Sequence, residues 1–89
     1  MARVVFTQHL ATVAPVTEAV YDGATVAEVL GGAFADHPQL KGYICDDQGR
    51  VRRHIAIFVD GALQDRGSVL ALPVTAGSEV YVLQALSGG

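Results

Sequence analysis

Apolar positions recur along this chain with two different periods, and the switch between them divides the sequence into elements. Residues 3–7 alternate, with Val4 and Phe6 on one face and Arg3, Val5 and Thr7 on the other, which predicts a first strand. Over residues 8–16 the pattern loosens and Pro15 interrupts it, so a connecting loop longer than a tight hairpin is expected. Residues 17–21 read as a second short strand, antiparallel to the first and closed by the turn pair Asp22-Gly23. The period then lengthens. Val26, Val29, Leu30, Ala33 and Phe34 stand at i, i+3, i+4, i+7 and i+8, one stripe of an amphipathic helix. Thr25 and Glu28 frame its start as a capping box, in which the threonine oxygen accepts an amide of the first turn and Glu28 reaches back to the cap amide. Gly31-Gly32 lies off the stripe and costs about 1 kcal/mol per glycine relative to alanine, so the helix depends on a sheet to cover it. Pro38 ends it by disfavouring helical geometry at His37.

Beyond the helix the short period returns. Residues 43–45 and 50–59 flank Asp46-Asp47-Gln48-Gly49, a predicted hairpin loop in which Gly49 supplies a positive φ. Within 52–59, Ile55, Ile57 and Val59 share the better core face, and His54, Ala56 and Phe58 share the other. Asp60-Gly61 makes a turn, 63–66 a brief edge strand, and 69–74 with Pro73 an irregular crossover. Ala76-Gly77 then turns the chain into a last strand that alternates from Glu79 to Leu83. The predicted architecture is α+β, a mixed four- to five-stranded sheet packed on one main helix. First and last strands side by side at its centre would run parallel, since the helix and the middle strands intervene between them. If Ile55, Ile57, Val59, Val80 and Val82 face the helix, then Phe58, Tyr81, Leu83 and Val5 face away. Apolar residues on an open sheet face suggest partner docking through Phe58, Tyr81 and Leu83; the other reading is cover by the 8–16 loop or by a second copy of the chain.

Eighty-nine residues allow one modest core and no second lobe, so the expected division is a domain over 1–86 and a Ser-Gly-Gly tail over 87–89. An apolar fraction of 51% with 17% charged residues fits a globule and argues against disorder. A formal charge of −3 provides no broad basic surface for nucleic acid and favours a basic partner surface. Arg50, Arg52 and Arg53 cluster, but three charges beside a turn fit a solvated hairpin better than a phosphate site. With no run long enough to span a membrane and no signal-peptide pattern, no membrane partner is expected and the cytoplasm is the expected location.

Chemistry-bearing side chains are few. The single cysteine, Cys45, excludes an internal disulfide and a four-thiolate cluster, and it reads as a small packing residue rather than a nucleophile. His9, His37 and His54 are far apart and lack ligand spacing, so no metal site is expected, and Asp46-Asp47 suits a turn better than an acid–base pair. No catalytic residue is expected on this chain. The ending is more informative. Leu86-Ser87-Gly88-Gly89 follows a strand and offers no bulk to pack; Gly88 and Ser87 can thread a narrow channel, and from residue 85 the chain reaches about 17 Å when extended.

Three segments together, Ile57-Phe58-Val59-Asp60-Gly61, the run from Leu70 through Pro73, Ala76 and Gly77 to Val80, and Leu86-Ser87-Gly88-Gly89, resemble the ubiquitin-like β-grasp sulfur carriers of the MoaD/ThiS family. The resemblance covers roughly residues 25–89 and departs from the molybdopterin-type carriers at Gln84-Ala85, where those commonly place proline. It implies that Gly89 is the site of chemistry. An E1-like adenylating enzyme would join its carboxylate to AMP, a persulfide or sulfide would displace AMP to leave a thiocarboxylate, and a downstream sulfur-accepting enzyme would take the sulfur. No cofactor would be bound directly, since ATP and magnesium would belong to the adenylating partner. The alternatives are a ubiquitin-like modifier conjugated through Gly89, which the presence of one lysine, Lys41, mildly disfavours, and a β-grasp interaction domain.

Overall fold

The computed structural model describes residues 2–6 and 18–84. Five strands, β1 (Ala2–Phe6), β2 (Glu18–Tyr21), β3 (Ile55–Val59), β4 (Ala62–Leu63) and β5 (Glu79–Gln84), form one sheet in the order β2-β1-β5-β3-β4. β1 and β5 lie parallel at its centre, as the strand order predicts, and every other pairing is antiparallel. Two helices, α1 (Val26–Asp36) and α2 (Pro38–Ile44), connect β2 to the second half of the sheet. Val4, Phe6, Ile55, Ile57, Val59, Val80 and Val82 on the sheet meet Val26, Val29, Leu30, Ala33, Leu40 and Ile44 on the helices in one buried cluster. Each large apolar side chain there contributes about 1.5–3 kcal/mol by leaving water. The alternation in the sequence therefore reports which sheet face the helices cover.

The helix start follows the capping rule with one shift. Thr25 Oγ1 accepts from the Glu28 amide at 3.3 Å, whereas Glu28 Oε1 accepts from the amide of Ala24, one residue before the cap, at 3.0 Å. The amide of Thr25 is therefore not the partner of Glu28. Val26 N donates to Leu72 O and Val74 N to Ala24 O, both at 3.0 Å, so the crossover that contains a 3₁₀ turn at Val69–Ala71 is stitched to the start of α1. Phe34, at the end of the predicted stripe, is half-buried against the core.

Three boundaries differ from the sequence expectation. Residues 43–45 are not a strand. Pro38 ends α1 and also starts α2 from its first turn, where the missing amide costs nothing, and Leu40 and Ile44 then share a buried helical face. Burial overrides the β preference of Tyr43 and Ile44, and only Cys45 is left to form an isolated bridge with Val51. The strand expected over 50–59 is confined to β3, because Ile55 N bonds back to Arg52 O in a turn. The edge strand expected over 63–66 is β4, which begins one residue earlier and ends three earlier, since Asp65 folds the chain into a turn by accepting from Gly67 N and Ser68 Oγ. The second strand begins at Glu18 with Thr17 outside the described residues, as are Thr7 and the loop expected over 8–16.

The two adjacent helical glycines turn out to be inequivalent. A Cβ at Gly31 would meet nothing within 4 Å, whereas one at Gly32 would lie 2.8 Å from the ring of Tyr21 on β2. That ring is also held by its hydroxyl, which donates to Asp36 Oδ2 at 3.1 Å, and burial together with this carboxylate raises the tyrosine pKa. Gly32 is thus the point where α1 and β2 approach closely. Gly31→Ala is expected to raise stability by about 1 kcal/mol in chemical denaturation. Gly32→Ala is expected to lower it by about 1–3 kcal/mol, because overpacking against Tyr21 outweighs the same helical gain.

Candidate functional site

The sheet pairing assembles the face opposite the helices into a row. Val5 on β1 is opposite Tyr81 on β5, Tyr81 is opposite Phe58 on β3, and Phe58 is opposite Leu63 on β4. Leu83, two residues along β5, pairs with Ala56 and extends the row toward the C-terminal end of the strand. Phe58, Tyr81 and Leu83, all expected on the docking surface, line one shallow hollow of about 470 Å³ with Gly61 and Glu79. Leu63, expected in the edge strand but not among the docking residues, is at 64% exposure the most open large apolar side chain described. Cross-strand neighbours on one face stand close enough to form a continuous apolar surface.

One end of this face is charged. Arg3 Nε meets Glu18 Oε2 at 2.6 Å and its Nη1 meets Glu79 Oε2 at 2.9 Å, so a single guanidinium ties β2, β1 and β5 together beside the hollow. These side chains are about half exposed, and each pair is worth at most about 1 kcal/mol. Backbone geometry fixes the hollow more firmly. Asp60, at φ 51°, and Gly61, at φ 85°, make the tight turn after β3, Asp60 N donates to Glu79 O, and Asp60 Oδ1 accepts from Glu79 N. Thus β5 is clamped where it starts.

Its far end has a different anchor. Gln84, the last described residue, pairs with Ile55, and its Oε1 accepts a 2.6 Å hydrogen bond from the Tyr43 hydroxyl at the end of α2. His54 stands edge-on to the Tyr43 ring at 5.5 Å. Sequence reasoning missed this strut by assigning residue 43 to a strand. The spacing of Leu40, Tyr43 and Ile44 after Pro38 is the helical signal that reveals it. Ser87, Gly88 and Gly89, expected to thread and to carry the chemistry, lie outside the described residues, as does the expected tail as a unit.

The other candidate side chains fall apart in space or into structural roles. Cys45 is 4% exposed and caps α2, and burial, with Asp46 nearby, pushes its thiol pKa up and away from the reactive thiolate. Asp46 is the hub of the turn before β3: its Oδ1 accepts from the amides of Gln48 and Arg50, with Gly49 at φ 80°. The Arg50 amide is the main reason its pKa is lowered, so this contribution is present above the ordinary carboxylate range and is lost as pH falls through the depressed value. His37 lies between the two helices, and His9 is outside the described residues. Among the described residues no three of His, Cys, Asp and Glu gather as a metal-binding group, and no helix is long and apolar enough to cross a membrane.

A mixed sheet with parallel central strands, helices on one face and an apolar row on the other defines a ubiquitin-like β-grasp protein. The chain belongs to the ThiS family, whose pattern matches residues 4–89. It is similar to small archaeal modifier protein 1 of Haloferax volcanii, with 27% identity, a TM-score of 0.80 and coverage of 99% of this chain and 98% of that one. It shares its fold with a chain of the Amycolatopsis orientalis BexX/CysO complex at 22% identity, a TM-score of 0.86 and full coverage of both chains. Mycobacterium tuberculosis CysO is similar in fold at 19% identity and a TM-score of 0.84, covering 97% of this chain and 100% of its own. No curated protein matches the chain in sequence. Members of this family are small carrier proteins rather than catalysts.

The burial of Cys45 has a direct chemical consequence. Alkylation of the folded protein by iodoacetamide near pH 8 is expected to be about a hundredfold slower than in denaturant, as read by mass spectrometry. A folded-state rate equal to the denatured one would show that Cys45 is an accessible thiol.

Proposed function

We propose that this protein is a sulfur carrier whose Gly89 carboxylate is activated and thiolated by an E1-like adenylating enzyme. The observation that carries this reading is the family match through residue 89 together with an apolar row beside the strand that leads to it. A carboxylate is a poor electrophile. Attack of a Gly89 oxygen on the α-phosphorus of ATP releases pyrophosphate and leaves a mixed anhydride with AMP as a good leaving group. Sulfide displaces AMP to give the thiocarboxylate; a persulfide does so through an acyl disulfide whose S–S bond a thiol then reduces. ATP and magnesium are handled by the partner. This chain supplies the reacting carbon, the Gly88 and Ser87 approach to it, and a docking face at Phe58, Tyr81 and Leu83. The thiocarboxylate then donates its sulfur to a downstream sulfur-accepting enzyme.

A second reading has one observation in its favour, the 27% identity to an archaeal protein named as a modifier. In that case Gly89 would form an amide with a lysine of a target protein.

Incubation with a family adenylating enzyme, ATP, magnesium and sulfide, followed by intact-mass measurement, tests both. The carrier reading predicts a gain equal to the mass difference between one sulfur and one oxygen, abolished by deletion of Gly89. Tyr81→Ala and Leu83→Ala are expected to lower kcat/KM for thiolation by about tenfold or more while the fold is retained. An unchanged mass with an adenylating enzyme that activates its own partner would overturn the carrier reading, and Gly89–lysine conjugates recovered from cells would establish the modifier.

A further inference from the structure

The chain has an excess of acidic residues, yet four of its six cationic side chains meet on one side of the turn region before β3. A hollow of about 440 Å³ is lined by Arg50, Arg52, Arg53 and Arg66 with His54. Two adjoining hollows share Arg50 with it, one of about 290 Å³ that reaches Arg66 and Leu70, and one of about 230 Å³ that reaches Asp47 and Gln48. Together they make an open strip rather than a closed pocket. Two of its guanidiniums are held from below. Arg52 Nε donates to the carbonyls of Gly42 and Cys45 at 2.9 and 3.2 Å, and Arg66 Nη1 donates to Val51 O at 3.3 Å. Those bonds leave the other N–H groups of both side chains without a partner among the described residues. Arg53 is exposed and makes no ion pair among the described residues, and Arg50 meets only Asp46, at 3.4 Å.

We propose that this strip is a docking groove for an extended, carboxylate-bearing segment of a partner protein. Planar guanidiniums bind carboxylates in bidentate fashion, and the anchoring of Arg52 and Arg66 lowers the entropy lost on binding. Asp46, Asp47 and Asp65 interleave with the four arginines, so the strip has little net charge. Nucleic acid and polyphosphate bind through summed charge, which four arginines offset by three aspartates supply only weakly. A peptide with spaced acidic residues can match individual arginines, and the half-buried Leu70 offers an apolar contact at one end. The groove lies apart from the apolar row. His54, at its other end, precedes the residue that pairs with Gln84, so a bound segment would pass beside the root of the chain's last residues. Nothing in this assignment depends on thiocarboxylate formation.

Amide spectra of the ¹⁵N-labelled protein, titrated with a synthetic peptide of alternating Glu and Leu, test the groove. Saturable shifts are expected at Arg50, Arg52, Arg53, Arg66 and Leu70, with Tyr81 and Leu83 still, and none with a peptide carrying Lys in place of Glu. The double variant Arg50→Glu/Arg53→Glu is expected to weaken binding about tenfold. Should it lose its dispersed spectrum, Arg53→Glu alone gives the same test with a loss of about threefold. The proposal is overturned by an absence of saturable shifts, by shifts on the Phe58 and Tyr81 face instead, by variants that bind as wild type, or by polyphosphate or oligothymidylate binding the same arginines more tightly than the peptide does.

Discussion

Parallel pairing of β1 with β5 is the constraint on which the rest of the structure depends. Val4 stands opposite Val80 and Phe6 opposite Val82, and all four are buried beneath the helices. A shift of β1 by one residue would turn Val4 and Phe6 to solvent and bring Arg3 and Val5 toward the core, so burial fixes the register strongly. Parallel neighbours also require a crossover, which here contains both helices and three further strands. The last strand of the chain therefore occupies the middle of the sheet, with β1 on one side and β3 on the other.

Function follows from that position. A central strand is held along both edges by backbone hydrogen bonds, and β5 gains two further anchors, Asp60 at its start and Tyr43 at its end. Chain that continues from Gln84 thus leaves from a fixed point. Because β1, β5, β3 and β4 are in register, the outward positions of four strands, Val5, Tyr81, Phe58 and Leu63, align into one apolar row on the open face. The same ladder that excludes water on one side builds the contact surface on the other, and the arginine groove occupies the turn region before β3.

Much of this was legible in the residues. Alternation through Ile55, Ile57 and Val59 and through Val80 and Val82 identified the buried face, and so by subtraction the open one. The stripe from Val26 to Ala33 and the Thr25 cap located α1. What failed has a common cause. Short segments carry too few residues for a period to be read, so the last two residues of α2 passed, with Cys45, for a strand on their β preference, and β4 slid toward Arg66. Long-range contacts were hidden for another reason: Gly32 beneath Tyr21 and Tyr43 on Gln84 depend on tertiary geometry that no local window contains. Arg66 joined the other arginines only once the turn after β4 brought it back to Val51.

Native-state amide hydrogen exchange tests most directly whether the strand leading to the terminal glycines is the rigid centre of the domain. Protection at Val80 and Val82 is expected to match the free energy of global unfolding, while Val20 on edge strand β2 exchanges through smaller local openings. Exchange of the β5 amides at the rate of the edge strand would contradict the account, because the last strand would then be a loosely attached element rather than the fixed root of the chain's end.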